Sequence, residues 1–473
     1  MISTSLHPGP VQAVCERRRR WSFGLTGRSI GLLIAGFFLL LPGFWDARLS
    51  YAMLVWDALV LMAAFLDGVR LPAVSQLGAT RSWSNAPALD SETEIELTLE
   101  NLGRTIVNCR LVDDLPPALV ADPPVNRLTV FPRVPARLRY RVEPRERGDC
   151  ETGWLYVRYR SPLGLAERWA KAKLIQTVRV YPALRTTEEQ QIFLARSRQI
   201  DLQLRLSRQR GLGRDFESLR EYREGDDLRD ICWTATARRG SLITRQYQTE
   251  RSQPVWIVLD CGRLMRAQVA ALPQPSLGET LAGPRVHSKL DHACSTAVAL
   301  AQLALYSGDR VGLLAYGQGI QQRLLPGRGS DHLRQLIELL AQVHSEASEA
   351  DHLRATTVLN RLQPRRSLIL WVTDLAESAL RPEVIDGAVQ LLRRHVLLFV
   401  AMAQPEVELI ARARPKNVEQ MFRSAAAQEM AGRRELLLAR LHEQGALTLD
   451  LNPEALTSSV LNQYLAVKER AMV

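Results

Sequence analysis

The chain has 473 residues, 46% of them hydrophobic and 23% charged, with a mean hydropathy of −0.10. Those averages exclude wholesale disorder and a polytopic membrane protein, and the length predicts two to four domains. The net charge of +11 comes from 61 basic residues of which only five are Lys; the Arg is spread over every segment and aromatics are 6%, so the skew reads as codon bias and argues against a nucleic-acid partner.

Six cysteines (Cys15, Cys109, Cys150, Cys232, Cys261, Cys294) lie at least 29 residues apart. No CxxC pair, zinc-ligand spacing or dense disulfide framework exists, which points to a reducing compartment.

Residues 1–22 read as a basic cytoplasmic N-terminus and 23–68 as a transmembrane hairpin that contacts the lipid bilayer. Arg17 to Arg20 precede a charge-free run from Ser29 to Trp45, and Leu49 to Leu66 is interrupted only by Asp57. A mid-helix Asp costs about 2.5 to 3.5 kcal/mol and each Leu, Val or Phe returns roughly 0.3 to 0.6, so the second span inserts most easily beside the first, with Asp57 facing the bundle interior. Arg17 to Arg20, Arg28, Arg70 and Arg81 flank the hairpin, whereas the connecting loop has only Arg48 opposed by Asp46. Both ends are therefore expected in the cytoplasm of a bacterial inner-membrane protein, the rival being a cleaved signal, against which stands the second span.

Residues 71–185 change to period-two runs, such as Glu94 to Leu99, Arg137 to Val142, Trp154 to Tyr159 and Val178 to Val180, punctuated by prolines. Six or seven strands in an immunoglobulin-like β-sandwich is the economical reading, with a spacer or docking role.

Residues 186–252 hold a polar connector and then a dense charged stretch. Asp226 or Asp227 is placed to cap a helix whose apolar face is Leu228, Ile231, Cys232 and Ala235; Arg238 and Arg239 complement its dipole and Gly240 suits a left-handed stop. A strand over Ser241 to Glu250 follows. Capping does not explain why Arg220, Tyr222, Gly225, Arg229 and Trp233 accompany the carboxylates. An Arg and carboxylate network beside aromatics serves either to lock domains together or to grip a partner.

The run Phe216 to Tyr222, Gly225 to Trp233 and Thr236 to Arg238 resembles the hallmark of the bacterial family catalogued as domain of unknown function 58. Ser161-Pro-Leu-Gly-Leu165, Val180-Tyr-Pro182, Gly308-Asp-Arg-Val-Gly312 and the membrane hairpin agree with it. The resemblance implies a membrane-anchored protein with a von Willebrand factor A-like domain, working beside a MoxR-type AAA ATPase. The family's biochemical activity is undefined.

Residues 253–473 alternate apolar strands (Val255 to Asp260, Arg310 to Tyr316, Ser367 to Thr373, Val396 to Met402, Ala446 to Leu451) with amphipathic helices (Lys289 to Tyr306, Asp331 to Val343, Pro382 to Arg394, Val418 to Glu443). That pattern predicts a doubly wound, mostly parallel α/β sheet, so the chain as a whole reads as α+β multidomain. Asp260 and Asp374 fall at strand carboxyl ends, where ligands bind in such sheets. A von Willebrand A-like domain places a magnesium site there with an Asp-x-Ser-x-Ser loop; this chain has Asp260-Cys261-Gly262-Arg263-Leu264, so both serines are lost. Asp260 and Asp374 are the candidate metal ligands with Ser330 as a third, and otherwise Arg263 is expected to pair with one aspartate.

No Gly-x-Ser-x-Gly elbow, Walker loop or His-Glu-x-x-His occurs, and no local pattern supports a Cys232 or Cys294 nucleophile. The expectation is a non-enzymatic, cofactor-free adaptor or assembly protein that binds the ATPase or other membrane-complex proteins. The alternatives are a divalent-metal-dependent ligand receptor or sensor, and a cryptic hydrolase.

Overall fold

The computed structural model describes residues 8–18, 23–38, 50–119, 125–183, 215–223, 228, 231–248, 253–270, 286–375 and 383–470. The chain divides into two compact units, Met1–Ala183 and Leu184–Val473. The structure is mixed α and β.

Strands of the first unit are β1 (Val11–Arg17), β2 (Phe23–Leu25), β3 (Leu77–Trp83), β4 (Thr93–Asn101), β5 (Val107–Asp113), β6 (Val125–Val130), β7 (Ala136–Val142), β8 (Gly148–Thr152), β9 (Leu155–Arg160), β10 (Ala166–Ala172) and β11 (Gln176–Val180). Their period-two patterns put alternate residues inside: β4 buries Ile95, Leu97 and Leu99 while Glu94, Glu96 and Glu100 stay partly open. The path β6-β5-β9-β10-β1-β3-β4-β7 is joined antiparallel, with β2 beside β10, and β8 pairs separately with β11.

Strand β1 falls inside the segment read from sequence as a basic cytoplasmic N-terminus, for which no strand was expected. Val11 to Val14 pair with β3, and Cys15 to Arg17 pair with β10, so this strand joins the two halves of the sheet. Its alternation is short, with Val11, Ala13 and Cys15 turned inward, and the Arg run after it dominates the sequence signal.

A buried ion pair sits in this unit. Arg81 is fully buried, donates to the Asp113 carboxylate through Nε (3.2 Å) and Nη2, and donates to the Leu174 carbonyl at 2.8 Å; Tyr140 also donates to Asp113.

Helix α1 (Gly27–Phe37) has 11 described residues and α2 (Ser50–Val69) has 20. At 1.5 Å per residue α2 reaches about 30 Å, the thickness of a bilayer core. It is the described helix long and apolar enough to cross a membrane. At Gly36 of α1 an added Cβ would stand 2.7 Å from Asp57 Oδ1 of α2, so the two helices meet closely where the polar residue lies.

The Ser161–Leu165 loop ties both helices to the sheet. Thr26, the N-cap of α1, donates through Oγ1 to the Gly164 carbonyl at 2.5 Å, and Ser29 Oγ donates to the Leu165 carbonyl at 2.8 Å. At the other end Asp67 of α2, 2% exposed, accepts from Ser161 Oγ and from the Leu165 amide at 3.2 Å. Arg168 then donates to the Gly68 and Pro72 carbonyls at 3.3 and 3.1 Å, satisfying acceptors at the helix end.

The second unit contains β12 (Asp215–Glu221), α3 (Trp233–Arg239), β13 (Ile243–Gln248), β14 (Pro254–Asp260), β15 (Gln268–Ala270), β16 (Val286–Ser288), α4 (Lys289–Tyr306), β17 (Arg310–Tyr316), β18 (Ile320–Gly327), α5 (Ser330–Gln342), α6 (His352–Leu362), β19 (Leu368–Thr373), α7 (Glu383–Leu392), β20 (Val396–Met402), α8 (Pro405–Arg412), α9 (Val418–Glu443), β21 (Leu447–Leu451) and α10 (Leu456–Glu469). Its main sheet has the order β18-β17-β14-β19-β20-β21, parallel except for the edge strand β18. Continuous apolar runs make β19 and β20 buried at every position, as strands covered on both faces require. Helices α6, α7 and α9 pack on the face bearing Trp256, Val258, Trp371 and Phe399.

The Gly308-Asp-Arg-Val-Gly312 run proves structural. Gly308 has φ +80°, the buried Asp309 accepts from Tyr464 Oη (2.5 Å), Lys468 Nζ (3.4 Å) and the Gln253 amide (3.2 Å), and a Cβ on Gly312 would stand 3.0 Å from the Trp256 ring. The motif holds α10 to the foot of β17 and lets an indole cross the strand.

Candidate functional site

Parallel strands β14, β19 and β20 end side by side, and their carboxyl ends bring Asp260, Thr373, Asp374 and Met402 to one edge. The fifth participant is Lys289, the first residue of α4. A capping box fixes that start: Ser288 Oγ accepts from the Asp291 amide at 3.1 Å, and Asp291 Oδ2 accepts from the Ser288 amide at 3.1 Å. Lys289 is wholly buried and donates through Nζ to Asp374 Oδ2 at 2.5 Å and to the Met402 carbonyl at 3.2 Å. A cation in the first turn opposes the helix dipole, so Lys289 stands there for Asp374 and not for the helix. Burial pulls the ammonium's pKa below its ordinary value, and the charge of Asp374 opposes that pull.

Arg434 of α9 completes the cluster. Its Nη1 donates to Asp374 Oδ1 at 3.1 Å, while Nε and Nη2 bind Asp450 of β21 at 3.1 and 2.7 Å. Each oxygen of Asp374 thus faces a cation. Asp260 is differently held: its Oδ2 accepts from Thr373 Oγ1 at 2.6 Å and its Oδ1 from the Gly262 amide at 2.7 Å. Burial raises the Asp260 pKa, offset by the nearby His352 charge and by these two hydrogen bonds.

This donor set does not fit a magnesium ion. A hard divalent cation demands about six oxygens around it, yet Asp374 is taken by Lys289 and Arg434 and Asp260 by two donors. No cluster of three or more His, Cys, Asp or Glu side chains suited to a metal occurs among the described residues. Arg263, expected beside an aspartate, is half exposed and forms an ion pair with Glu349 at 3.7 Å. Ser330 opens α5, and the hydroxyl on Asp260 is that of Thr373.

Sequence reasoning missed Lys289, Thr373 and Arg434, although composition held a signal. In a chain that uses Arg almost everywhere, two of its five lysines hold buried carboxylates, Lys289 on Asp374 and Lys468 on Asp309, while Lys173 and Lys416 are exposed.

The charged signature forms a second candidate surface. Strands β12 and β13 pair antiparallel, and Tyr222 donates its amide to the Leu242 carbonyl at 2.8 Å. The helix between them begins at Trp233 with Cys232 as N-cap, later than the sequence implied, because Ile231 is drawn into a bridge with Thr244. Its expected end is observed: Arg238 and Arg239 occupy the last turn and Gly240 is left-handed at φ +71°. Gly225, Asp226, Asp227 and Arg229 lie outside the described residues. Arg220 is half-buried, Arg238 is exposed, Trp233 is 68% exposed and Leu228 67% exposed.

Among curated proteins, the chain is 25% identical over 204 residues to uncharacterized proteins of Mycobacterium bovis and of Mycobacterium tuberculosis. That match covers 42% of this chain and 58% of theirs, so the chain spans less than two thirds of the relatives' length. Solved structures similar to part of it include the conserved hypothetical protein BatB from Bacteroides thetaiotaomicron, with 14% identity, TM-score 0.28 and coverage of 46% of this chain and 100% of that one. An uncharacterized membrane spanning protein from Vibrio fischeri is 12% identical with TM-score 0.16, covering 45% and 96%. The family model described as "Protein of unknown function DUF58" matches residues 218–412, from within β12 to the end of α8, and this is the family the signature resembled.

Proposed function

We propose that the chain is a non-enzymatic adaptor of the bacterial inner membrane. Two helices anchor it, an immunoglobulin-like sandwich forms its first unit, and a von Willebrand factor A-like unit in the cytoplasm grips protein partners, a MoxR-type AAA ATPase foremost. The observation that carries this reading is the exposure of signature side chains: Trp233 and Leu228 stand about two thirds exposed, and Arg238 is exposed near the other end of the short helix that Trp233 begins. Exposed large apolar residues and Arg are the residue types enriched at interface hot spots. Helix α2 supports the anchor. The two cysteines that a hydrolase would call on are poorly placed for attack, since Cys294 is fully buried in α4 and Cys232 caps α3 at 7% exposure.

The test is affinity purification of full-length protein from cross-linked membranes, beside Trp233→Ala and Arg238→Ala. Both side chains are exposed, so both variants should fold. Enrichment of an ATPase with the wild type and its loss with both variants is the expected result. Identical partners from all three proteins, or turnover of a substrate by the purified protein, overturns the proposal.

A further inference from the structure

We infer that the carboxyl edge of the parallel sheet is an ammonium site filled by the chain's own Lys289, and that it works without a divalent metal. The inference stands on this edge alone and does not rest on the partner-binding reading. Three observations converge. Lys289 is wholly buried and its Nζ reaches two oxygens, Asp374 Oδ2 and the Met402 carbonyl. The remaining oxygen of Asp374 is occupied by Arg434, whose fixed positive charge repels a dication at the same place. The capping box at Ser288 and Asp291 aims the lysine inward against the helix dipole. Oxygens arranged around a single Nζ, with a narrow channel left by a four-carbon stem, match a primary alkylammonium in charge and shape.

The consequence is a chemical rescue. Lys289→Ala opens the channel and leaves Asp374 short of one cation, and the thermal midpoint of the second unit should fall by about 10 °C. Ethylammonium chloride should recover part of that loss by mass action, beyond what equal sodium chloride or tetramethylammonium chloride does. Lys289→Met, which fills the channel without charge, should be as unstable and should gain nothing from ethylammonium. Calorimetry of the full-length protein in detergent reads all three. Magnesium or manganese chloride should leave the wild-type midpoint unmoved. A midpoint of Lys289→Ala equal to wild type, rescue by magnesium and not by ethylammonium, or equal response of the Ala and Met variants each overturns the inference. If Lys289→Ala does not fold, manganese titration of the wild type followed by electron paramagnetic resonance decides: stoichiometric immobilised manganese refutes the filled site, and free manganese throughout upholds it.

Discussion

Replacement of Asp67 tests the joint between helix α2 and the Ser161–Leu165 loop within the first unit. Its Oδ2 accepts from Ser161 Oγ and, at 3.2 Å, from the Leu165 amide. In Asp67→Ala the single proton of the Ser161 hydroxyl can turn to the Ala166 carbonyl at 3.0 Å, so its loss is small. The part-buried Leu165 amide has no such substitute, and a donor left without its partner there costs about 1 to 3 kcal/mol. Taking about 2 kcal/mol, local opening of the Ser161–Leu165 loop becomes roughly 30-fold more populated. Amide hydrogen exchange of the full-length protein in detergent should show that acceleration at Leu165. The Thr26 amide, which donates to the Leu165 carbonyl at 3.1 Å, should accelerate with it. Asp67→Asn retains an acceptor and should change exchange by less than about a factor of ten. Exchange at Leu165 within threefold of wild type in Asp67→Ala would refute the reasoning, because the carboxylate would then not be what holds the loop to the helix.

Two further outcomes follow from buried groups in the same unit. Arg81→Met leaves Asp113 buried without its cation and should destabilise the unit by about 3 to 5 kcal/mol in urea unfolding, whereas a change below about 1 kcal/mol would show that water or Tyr140 carries the pair. Burial pushes the Cys15 and Cys109 thiols from 9.0 up to about 12. Above pH 9 the unfolded chain releases these protons while the folded chain keeps them, so stability falls as pH rises toward 12, by about 1.4 kcal/mol per pH unit for each thiol. Cys15→Ala should remove one such increment from the slope of urea stability against pH; an unchanged slope would mean that the thiol already ionises in the folded state.

Much of the second unit was legible in the residue order because its signals are local. Five apolar runs became β14, β17, β19, β20 and β21 within a residue of their expected limits, and Lys289–Tyr306 and Val418–Glu443 are helices over their expected spans. Hydrophobic period and capping act within a few residues, which is also why the Gly240 stop was readable. Edge strand β18 and helices α6, α8 and α10 were missed, although α10 buries Leu456, Val460, Leu461, Tyr464 and Leu465 at a helical spacing that the residue order already carries. The β1 seam was hidden because three inward residues next to an Arg run make a weak pattern, and only pairing with β3 and β10 selects it.

The sequence by itself determined a long apolar helix, period-two strands before residue 183, alternating apolar strands and helices after 253, and two aspartates at strand ends. What those aspartates do was decided by tertiary structure. Lys289 lies 85 residues from Asp374 and Arg434 lies 60 residues from it, and Asp67 meets Ser161 across 94 residues. No period or cap links positions so far apart. Loop closure brings them together only when the sheet has assembled, and burial then makes the identity of each counter-charge decisive.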